Sequence, residues 1–557
     1  MTHDRGERWV PWIFGLLAAL PVLIAPYPPM TDFPHHESLV GMLRLYKDAT
    51  RFPPGMYELN LGEPNQLFHL LAWPITYVLP LTLSCRIVTG VSVLAVPVGA
   101  ARLARHLGAS RFLALALVPV ALGWLFSWGF INNLLGLGLF LGFLPELDRF
   151  AAKPTWKRFA VVAAGTVLLY FAHELLMLLF AATALLFAAV YPLRLRDTIA
   201  RTTPAVVAGA MAATQIVYQE HLKTATVRAI GNSFAPLGRR LATLPSTLVG
   251  FNHPFETWTV FGSCVAVAGV FAVVAHAARR RTSAPHDGES SVSRIRRVLQ
   301  EQRFLLLALA SAALYLVLPT AFNGASLVSQ RFIAPAFAIG ALAAASGSAG
   351  RASFVPKLLA AALPLEALFL LWPSFVESSR AHEQFLVIAN QIPLKSSVAA
   401  IDLELDQSGR TFTVASQLSS VLPLRGGRVL YSFTDSTVAP VRVATQYQWG
   451  EPAARIMVDP YALRPAYDLT RFEYLIVHSV DPNRLQIAAI AMAPDAKLVD
   501  IRGEWALLRS TLDVVPMTAP DAPLPTPRAA TLRKRIREVV LSLQHSQSAS
   551  TSGEGAR

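Results

Sequence analysis

Apolar runs of membrane-spanning length recur along the first two thirds of this chain, from Trp9 to Trp372. The first includes residues 13–24, which carry no charge, and with its flanks it reaches the roughly 20 apolar residues that cross a bilayer as a helix. Only 15% of the 557 residues are charged, and the mean hydropathy is +0.44. Soluble globular proteins rarely combine such values. The chain is therefore predicted to be an integral membrane protein.

Ten further apolar runs follow the first one. They cover residues 87–101, 112–129, 133–148, 159–172, 175–192, 203–218, 258–277, 304–320, 332–349 and 355–373. Arginine and lysine cluster in every second connection between the runs, and such clusters favour the cytoplasmic side of a membrane. We therefore predict about eleven transmembrane helices, with the N-terminus inside and the C-terminus outside.

The apolar stretch 66–84 does not fit this alternation. If it crossed the membrane, every later basic cluster would lie on the wrong side. We therefore predict a re-entrant or interfacial helix there, within a first external loop that covers residues 27–86. Irregular backbone is tolerated at such depth where protein or a wet cavity covers it.

The formal net charge of +14 raises the question of a nucleic-acid partner. The basic residues lie between apolar runs rather than along one soluble face, so membrane orientation explains the charge and no nucleic-acid partner is predicted. The two cysteines, Cys85 and Cys264, lie in or beside apolar runs. They therefore predict neither a disulfide framework nor a cysteine-based metal site.

The composition changes after residue 378, which ends the predicted membrane domain 1–378. In residues 379–515, short β-type runs such as 397–401, 428–431 and 474–478 alternate with helical stretches such as 484–493, which predicts an external α/β domain. No glycine-rich phosphate loop opens a helix there, so no nucleotide site is predicted. Residues 516–557 are first rich in proline and then basic, and are predicted to form a flexible tail. The fold class is thus an α-helical polytopic membrane protein with a C-terminal α/β soluble domain.

An acidic residue and two histidines stand at the mouth of the first span, in Thr31-Asp32-Phe33-Pro34-His35-His36. Ionisable groups beside a span are costly to desolvate and mark a candidate functional site. Pro34 suits the first turn of a helix, and the residues after it predict an amphipathic helix on the membrane surface. Asp32 then stands at the start of that helix, where it either only caps the helix or carries chemistry.

This segment is followed by Leu61-Gly62-Glu63-Pro64-Asn65-Gln66, which leads into an apolar helix. Together the two segments resemble the first external loop of C-type glycosyltransferases, polytopic enzymes with the GT-C fold. The form of the first segment is similar to that of a poorly characterised bacterial branch. The resemblance covers the membrane domain in layout and rests mainly on residues 32–66 and 317–335. Relative to the aminoarabinose transferases, Phe33 replaces a second acidic residue, and Pro64-Asn65 stands where a lysine often precedes the helix.

The resemblance implies a transferase that takes a sugar from a polyprenyl-phosphate carrier and passes it to an acceptor hydroxyl on the non-cytoplasmic face of a bacterial inner membrane. The expected partners are membrane lipid, this lipid-linked donor and an unknown acceptor. The resemblance also implies Asp32 as the base of an inverting displacement. One carboxylate is enough, because a departing phosphate needs charge stabilisation rather than the protonation that a departing alcohol needs in glycoside hydrolysis.

Further candidate substrate-binding residues lie on the same predicted face. Arg331 stands at the outer end of an apolar span beside Asn323, where it would bind a donor phosphate or only reach lipid headgroups. His173 and Glu174 interrupt a long apolar stretch, so they mark an external turn that is either a substrate contact or a plain polar connection.

His35 and His36 are also candidate substrate ligands. A metal site formed by them with His173 is possible but has no pair of histidines at helical i, i+4 spacing behind it. The sequence therefore leaves open whether the protein uses a divalent metal as a cofactor.

Two other function classes compete with the transferase. A transporter or flippase would also explain polar residues near the membrane, but transporters tend to have internal repeats and polar sites near the midplane. This sequence has no recognisable repeat, and its polar candidates gather at one predicted face. A non-catalytic assembly protein, whose C-terminal domain binds a partner, is the third alternative.

Overall fold

The structure is a computed structural model. It describes residues 7–191, 194–220, 232–251, 253–280, 291–322, 325–404, 417–449, 455–456, 459–514 and 530–553. The chain divides into two compact units. Of the described residues, those within 7–30, 61–220 and 232–376 form the membrane unit, and those within 31–60 and 377–553 form the α/β unit.

The helices are numbered in chain order within the described residues. They are α1 Val10–Ile24, α2 Phe33–Leu45, α3 Leu67–Ile75, α4 Leu81–His106, α5 Val118–Leu122, α6 Trp124–Trp128, α7 Ile131–Ala152, α8 Trp156–Ala172, α9 Glu174–Val190, α10 Leu195–Glu220, α11 Leu237–Ala242, α12 Leu244–Val249, α13 Pro254–Arg280, α14 Ser291–Glu301, α15 Arg303–Val317, α16 Ile333–Ala344, α17 Phe354–Asn390, α18 Pro465–Asp468, α19 Pro482–Met492 and α20 Leu532–Gly553. Short 3-10 helices cover Arg111–Leu117, Ser329–Phe332, Leu418–Arg425, Phe433–Asp435, Thr445–Tyr447 and Pro460–Ala462.

The strands are numbered in the same way. They are β1 Tyr57–Leu59, β2 Ser397–Asp402, β3 Arg428–Val429, β4 Val441–Val443, β5 Tyr474–His478, β6 Ala496–Arg502 and β7 Trp505–Ser510. All of them belong to the α/β unit.

Small residues let the helices of the membrane unit approach closely. A Cβ atom added to Gly99 of α4 would lie 2.1 Å from the carbonyl oxygen of Gly138 in α7, so the two backbones leave no room for a side chain there. Gly138 also lies against the backbone of Ala95 in α4 in a similar way. Such contacts between small residues are a common way of packing apolar helices where lipid offers no hydrophobic driving force.

Helices occupy all eleven predicted span positions. Within the described residues, four helical stretches are long and apolar enough to cross a membrane, namely α4, Arg111–Trp128, Pro254–Arg279 and α17, while α1, α9 and α15 are apolar but shorter. The number of crossings stays a prediction. In the stretch 66–84, α3 has nine residues and is about 14 Å long, less than half of a hydrocarbon core of roughly 30 Å, which agrees with the prediction that it does not cross.

The α/β unit is built on a five-stranded sheet with the order β3-β2-β5-β7-β6. Strands β3, β2 and β5 are parallel, and β7 and β6 are antiparallel additions. Every residue of β5 is buried, as expected for a central strand covered on both faces. The predicted β-runs at 397–401, 428–431 and 474–478 and the predicted helix at 484–493 coincide with β2, β3, β5 and α19.

The basic segment near the C-terminus differs from the flexible tail predicted for residues 516–557. Leu532 is fully buried in the core of the α/β unit, and Ile536 and Val539 pack against the same core. Arg535 forms an ion pair of 2.5 Å with Asp495. The segment docks because its apolar residues recur at helical spacing on one face of α20. The predicted proline-rich stretch from 516 to 529 lies outside the described residues.

The first external loop also differs from its predicted place in the membrane domain, because residues 31–60 group with the α/β unit. Strand β1 pairs with β4 in antiparallel register, with Tyr57 opposite Val443. Helix α2 packs against the 3-10 helix Leu418–Arg425, and every residue from Phe33 to Leu43 is buried. The prediction that this helix lies on the membrane surface with an exposed polar face is therefore wrong. Its partners lie almost 400 positions away, where local periodicity carries no information.

Candidate functional site

Asp32 directly precedes α2, with Pro34 in the first turn of that helix as predicted. The Asp32 carbonyl oxygen accepts a hydrogen bond of 3.2 Å from the His36 N–H, but its side chain makes no capping hydrogen bond to the helix. The carboxylate is half-buried. Burial raises the pKa of the Tyr431 phenol, and the nearby charge of Asp32 raises it further. Asp32 is thus not a side-chain cap, and its carboxylate faces the neighbourhood of Tyr431.

His35 is fully buried within the α/β unit. Its Nε2 donates a hydrogen bond of 2.8 Å to Oε1 of Gln417 and lies 3.2 Å from Oγ of Ser420. Its ring stacks on Phe433 with centroids 4.1 Å apart and meets Tyr431 edge-on. Burial lowers the pKa of His35 to about 3, although the hydrogen bond to Gln417 opposes this shift. His35 is therefore a fixed neutral imidazole.

His36 contacts the edge of the same Phe433 ring, at a centroid distance of 5.6 Å, and is 7% exposed. Phe433 thus lies against both predicted histidines. We call Asp32, His35, His36, Tyr431 and Phe433 the Asp32 cluster.

Sequence reasoning found the first three residues of the Asp32 cluster and missed Tyr431 and Phe433. A signal was present, because both follow β3 at its carboxyl end, and functional residues in open α/β sheets gather beyond the carboxyl ends of strands. The sequence alone did not show that this end meets α2.

A second cluster lies in the membrane unit, where the structure brings Arg331 and His173 together. The Arg331 guanidinium donates through Nη1 to Nε2 of His173 at 2.5 Å, and its Cζ atom lies 4.4 Å from the centroid of the Phe130 ring. His173 is 2% exposed. Burial lowers the pKa of His173, and the charge of Arg331 lowers it further, so His173 is a neutral acceptor. Arg331 therefore has defined protein partners, which a side chain that only reaches for lipid does not need.

Glu174 lies in the same region and connects it to the motif at residues 61–66. Its carboxylate accepts a hydrogen bond of 2.6 Å from Gln215, and its N–H donates to Oδ1 of Asn65. Asn65 adopts a left-handed backbone with φ 62°, which asparagine tolerates better than most residues. Glu63 accepts a hydrogen bond of 3.1 Å from Gln219. We call Arg331, His173, Glu174, Asn65 and Glu63 the Arg331 cluster.

The remaining predictions divide as follows. Asn323 lies outside the described residues. His173 belongs to the membrane unit, whereas His35 and His36 belong to the α/β unit. Across the described ranges, no group of three or more histidine, cysteine or acidic side chains is positioned to hold a metal ion.

No protein-family model matches the sequence, and no curated protein matches it. Among solved structures, the chain is similar to the crystal structure of ArnT from Cupriavidus metallidurans in the apo state. The sequences are 11% identical, the match covers 92% of this chain and 98% of that chain, and the TM-score is 0.45.

Proposed function

We propose that the protein is a membrane glycosyltransferase that moves a sugar from a polyprenyl-phosphate-linked donor to an acceptor hydroxyl on the non-cytoplasmic face. The observation that carries the proposal is that the Asp32 side chain does not cap the helix that it precedes. Aspartate at the start of a helix usually accepts hydrogen bonds from the free N–H groups of the first turn. Asp32 makes no such bond, although the helix that follows it is buried. A carboxylate held in this way suits proton transfer better than helix capping.

The reaction needs one proton acceptor. The acceptor hydroxyl attacks the anomeric carbon, and the new C–O bond forms as Asp32 takes the hydroxyl proton. The bond from the anomeric carbon to the phosphate oxygen breaks, and polyprenyl phosphate leaves with the electron pair. Attack from the face opposite the phosphate inverts the anomeric centre. His35 and His36 act as positioning residues, since their packing on Phe433 fixes the turn that carries Asp32.

The phosphate of the donor is assigned to Arg331. A guanidinium presents its N–H donors in a planar fork that matches two phosphate oxygens. His173 and Phe130 hold that plane, and neutral His173 leaves the positive charge of Arg331 in place. The carboxylates of Glu63 and Glu174 each accept a hydrogen bond from a glutamine amide. The contacts of Arg331 with His173 and Phe130 support an arginine that is preorganised for an anion.

The activity is tested first in cells. Without the gene, envelope glycans should lose one sugar and the corresponding lipid-linked sugar should accumulate. A transporter or flippase could give the same pattern, so the second step uses purified protein in detergent with lipid-linked sugars extracted from those cells. Transfer to an extracted acceptor in detergent, where there are no two sides to transport between, supports the transferase. Absence of transfer under conditions where the protein is folded contradicts it.

The face of the membrane is tested separately. The alternation of basic connections predicts residue 288 in the cytoplasm and residue 450 outside. Reporter fusions at these two positions should therefore give opposite signals. Signals from the same side would overturn the topology and the assignment of transfer to the non-cytoplasmic face.

A further inference from the structure

The α/β unit contains a small open cavity, lined by charged, hydroxyl and apolar side chains, that the proposed transfer does not use. Its lining residues include Tyr57, Arg428, Ser432, Thr434, Asp435 and Trp449, and its empty volume, counted with its open mouth, is about 240 Å³. The chain segment from Arg428 to Asp435 contributes to both regions. Its Tyr431 and Phe433 contact His35, whereas five of its other residues line the cavity.

Arg428 is the most unusual residue of the cavity. It is 6% exposed, and its Cζ atom lies 4.0 Å from the centroid of the Trp449 ring. The indole is itself fixed, because its Nε1 donates a hydrogen bond of 2.8 Å to the carbonyl oxygen of Val429. In the part of the chain that the structure describes, the Arg428 guanidinium makes no hydrogen bond and no ion pair. A buried guanidinium without acceptors is costly, so this arrangement points to a ligand that supplies them.

Tyr57 lies at the same cavity and is 8% exposed. The pairing of β1 with β4 places it there, and Phe52 packs edge-on against its ring. Its hydroxyl makes no hydrogen bond to any described residue. Two fixed side chains that carry hydrogen-bond donors therefore line one small cavity.

The charges around the cavity favour a small anion. Arg471, which donates a hydrogen bond of 3.4 Å to the carbonyl oxygen of Trp449, adds positive charge near Arg428. Asp435 is the opposing group. Its carboxylate accepts a hydrogen bond from the Ser432 N–H and lies within electrostatic range of Arg428 but not in an ion pair with it.

We propose that this cavity binds a small anionic group, a carboxylate or a phosphate, with Arg428 as its main ligand and Tyr57 as a second donor. The planar fork of arginine suits both groups. The cavity is small and open at its mouth, so it takes the charged group while the rest of a larger molecule stays outside. The anionic group belongs either to a free anion or to a charged acceptor of the transfer. The second possibility rests on the proposed function.

A neutral sugar is the alternative occupant, since arginine, aspartate and hydroxyl groups also bind sugar hydroxyls. The Asp435→Asn variant distinguishes an anionic ligand from a neutral sugar. For an anion, Asp435→Asn removes a repulsive charge and should strengthen binding several-fold. For a neutral sugar, the same change removes a strong hydrogen-bond acceptor and should weaken it.

The test is calorimetric titration of the full chain in detergent, at constant ionic strength, with acetate, inorganic phosphate, D-glucuronate and D-glucose. The anions should bind and glucose should not. Arg428→Gln should weaken anion binding about ten-fold or more, in line with the loss of charged hydrogen bonds. Arg502→Gln makes the same change at an exposed arginine of the same unit and should leave binding unchanged.

A free anion and a charged acceptor are distinguished by how tightly the different probes bind. Tighter binding of glucuronate than of acetate supports a charged acceptor, and equal binding supports a free anion. Asp32→Asn should bind the anions as the wild type does, so failed transfer chemistry is distinguishable from a failed anion site. The proposal is overturned if the wild type binds none of the anions or binds glucose equally well. It is also overturned if Arg428→Gln binds the anions unchanged, or if Asp435→Asn weakens their binding.

Discussion

The Asp32 cluster and the Arg331 cluster are each built around a charged residue, but different partners fix the two charges. The turn at Asp32 is held by ring packing, with Phe433 against both His35 and His36. Arg331 is held directly, by the His173 imidazole and the face of Phe130. Packing that holds the turn before a helix, while the carboxylate takes no part in capping that helix, suits proton transfer. Direct contacts that orient a cation suit recognition of a fixed anion.

This contrast predicts that the two clusters fail in different kinetic parameters. Loss of the base should lower the rate of the chemical step, and loss of the phosphate ligand should weaken binding of the donor. If single substitutions in both clusters lowered the same parameter to the same degree, the division of roles would be wrong.

The largest effect is expected for Asp32→Asn. The amide keeps the shape of the carboxylate but cannot take the hydroxyl proton at neutral pH, so kcat should fall about 100-fold or more while KM for the donor changes little. The measurement is sugar transfer by purified protein in detergent. Asp48→Asn is the matched control, because Asp48 belongs to the same segment of the chain and its carboxylate accepts hydrogen bonds from its neighbours Thr50 and Arg51. Full transfer by Asp32→Asn would remove the base from the mechanism.

Arg331→Lys should follow, with a rise of about ten-fold or more in KM for the donor, because an ammonium cannot reproduce two parallel N–H bonds to one phosphate. Titration of lipid-linked donor measures this change, with exposed Arg351→Lys as the control. A residue that only reaches lipid headgroups accepts lysine. Donor binding like that of the wild type would therefore take Arg331 out of the site.

A smaller effect, on stability, is expected at His478 in the sheet. Its Nδ1 lies 2.9 Å from Asp402 and its Nε2 3.4 Å from Glu504. Burial lowers the pKa of His478, but the two carboxylates outweigh burial and raise it from 6.5 to about 9. Because the folded-state pKa is raised, this stabilisation is fully present below pH 6.5 and is lost as the pH rises to about 9.

Thermal unfolding of the wild type and of His478→Gln, measured in the same detergent from pH 6 to about pH 9.5, checks this window. The difference in Tm should shrink as the pH rises. A difference that stays constant across the window would show that the imidazole contributes through packing rather than through its charge.

The smallest effect is expected at His35, and its sign is opposite. The lowered pKa of His35 means that the folded protein resists protonation, so the wild type loses stability as the pH falls below 6.5 towards 3. His35→Gln lacks this acid sensitivity. Its Tm should fall less steeply than that of the wild type between neutral and mildly acidic pH, and parallel curves would contradict the assignment of a buried neutral histidine.

Local sequence was enough to locate both charged centres. Asp32 and its two histidines are adjacent in the chain, and the polar interruption at His173 and Glu174 was visible within an apolar stretch. The partners were not visible. His173 and Arg331 are 158 positions apart, and His35 and Gln417 are 382 apart, so no periodicity links them.

Two local patterns also gave a wrong environment. The helical spacing of polar and apolar residues in α2 predicted a helix on the membrane surface, yet Glu37 is only 5% exposed. The basic character of α20 predicted a free tail, yet Leu532 is part of the core. In both cases burial depends on what another part of the chain places opposite the helix.

The sequence by itself determined the membrane character, the approximate positions of the helices and strands, and the acidic residue at the mouth of the first span. These follow from hydrophobicity and spacing, which act over a few residues. Only the tertiary structure decided that residues 31–60 group with the α/β unit, that His173 accepts from Arg331, and that Arg428 is buried against Trp449. Such contacts join distant segments, and their geometry depends on how whole elements pack.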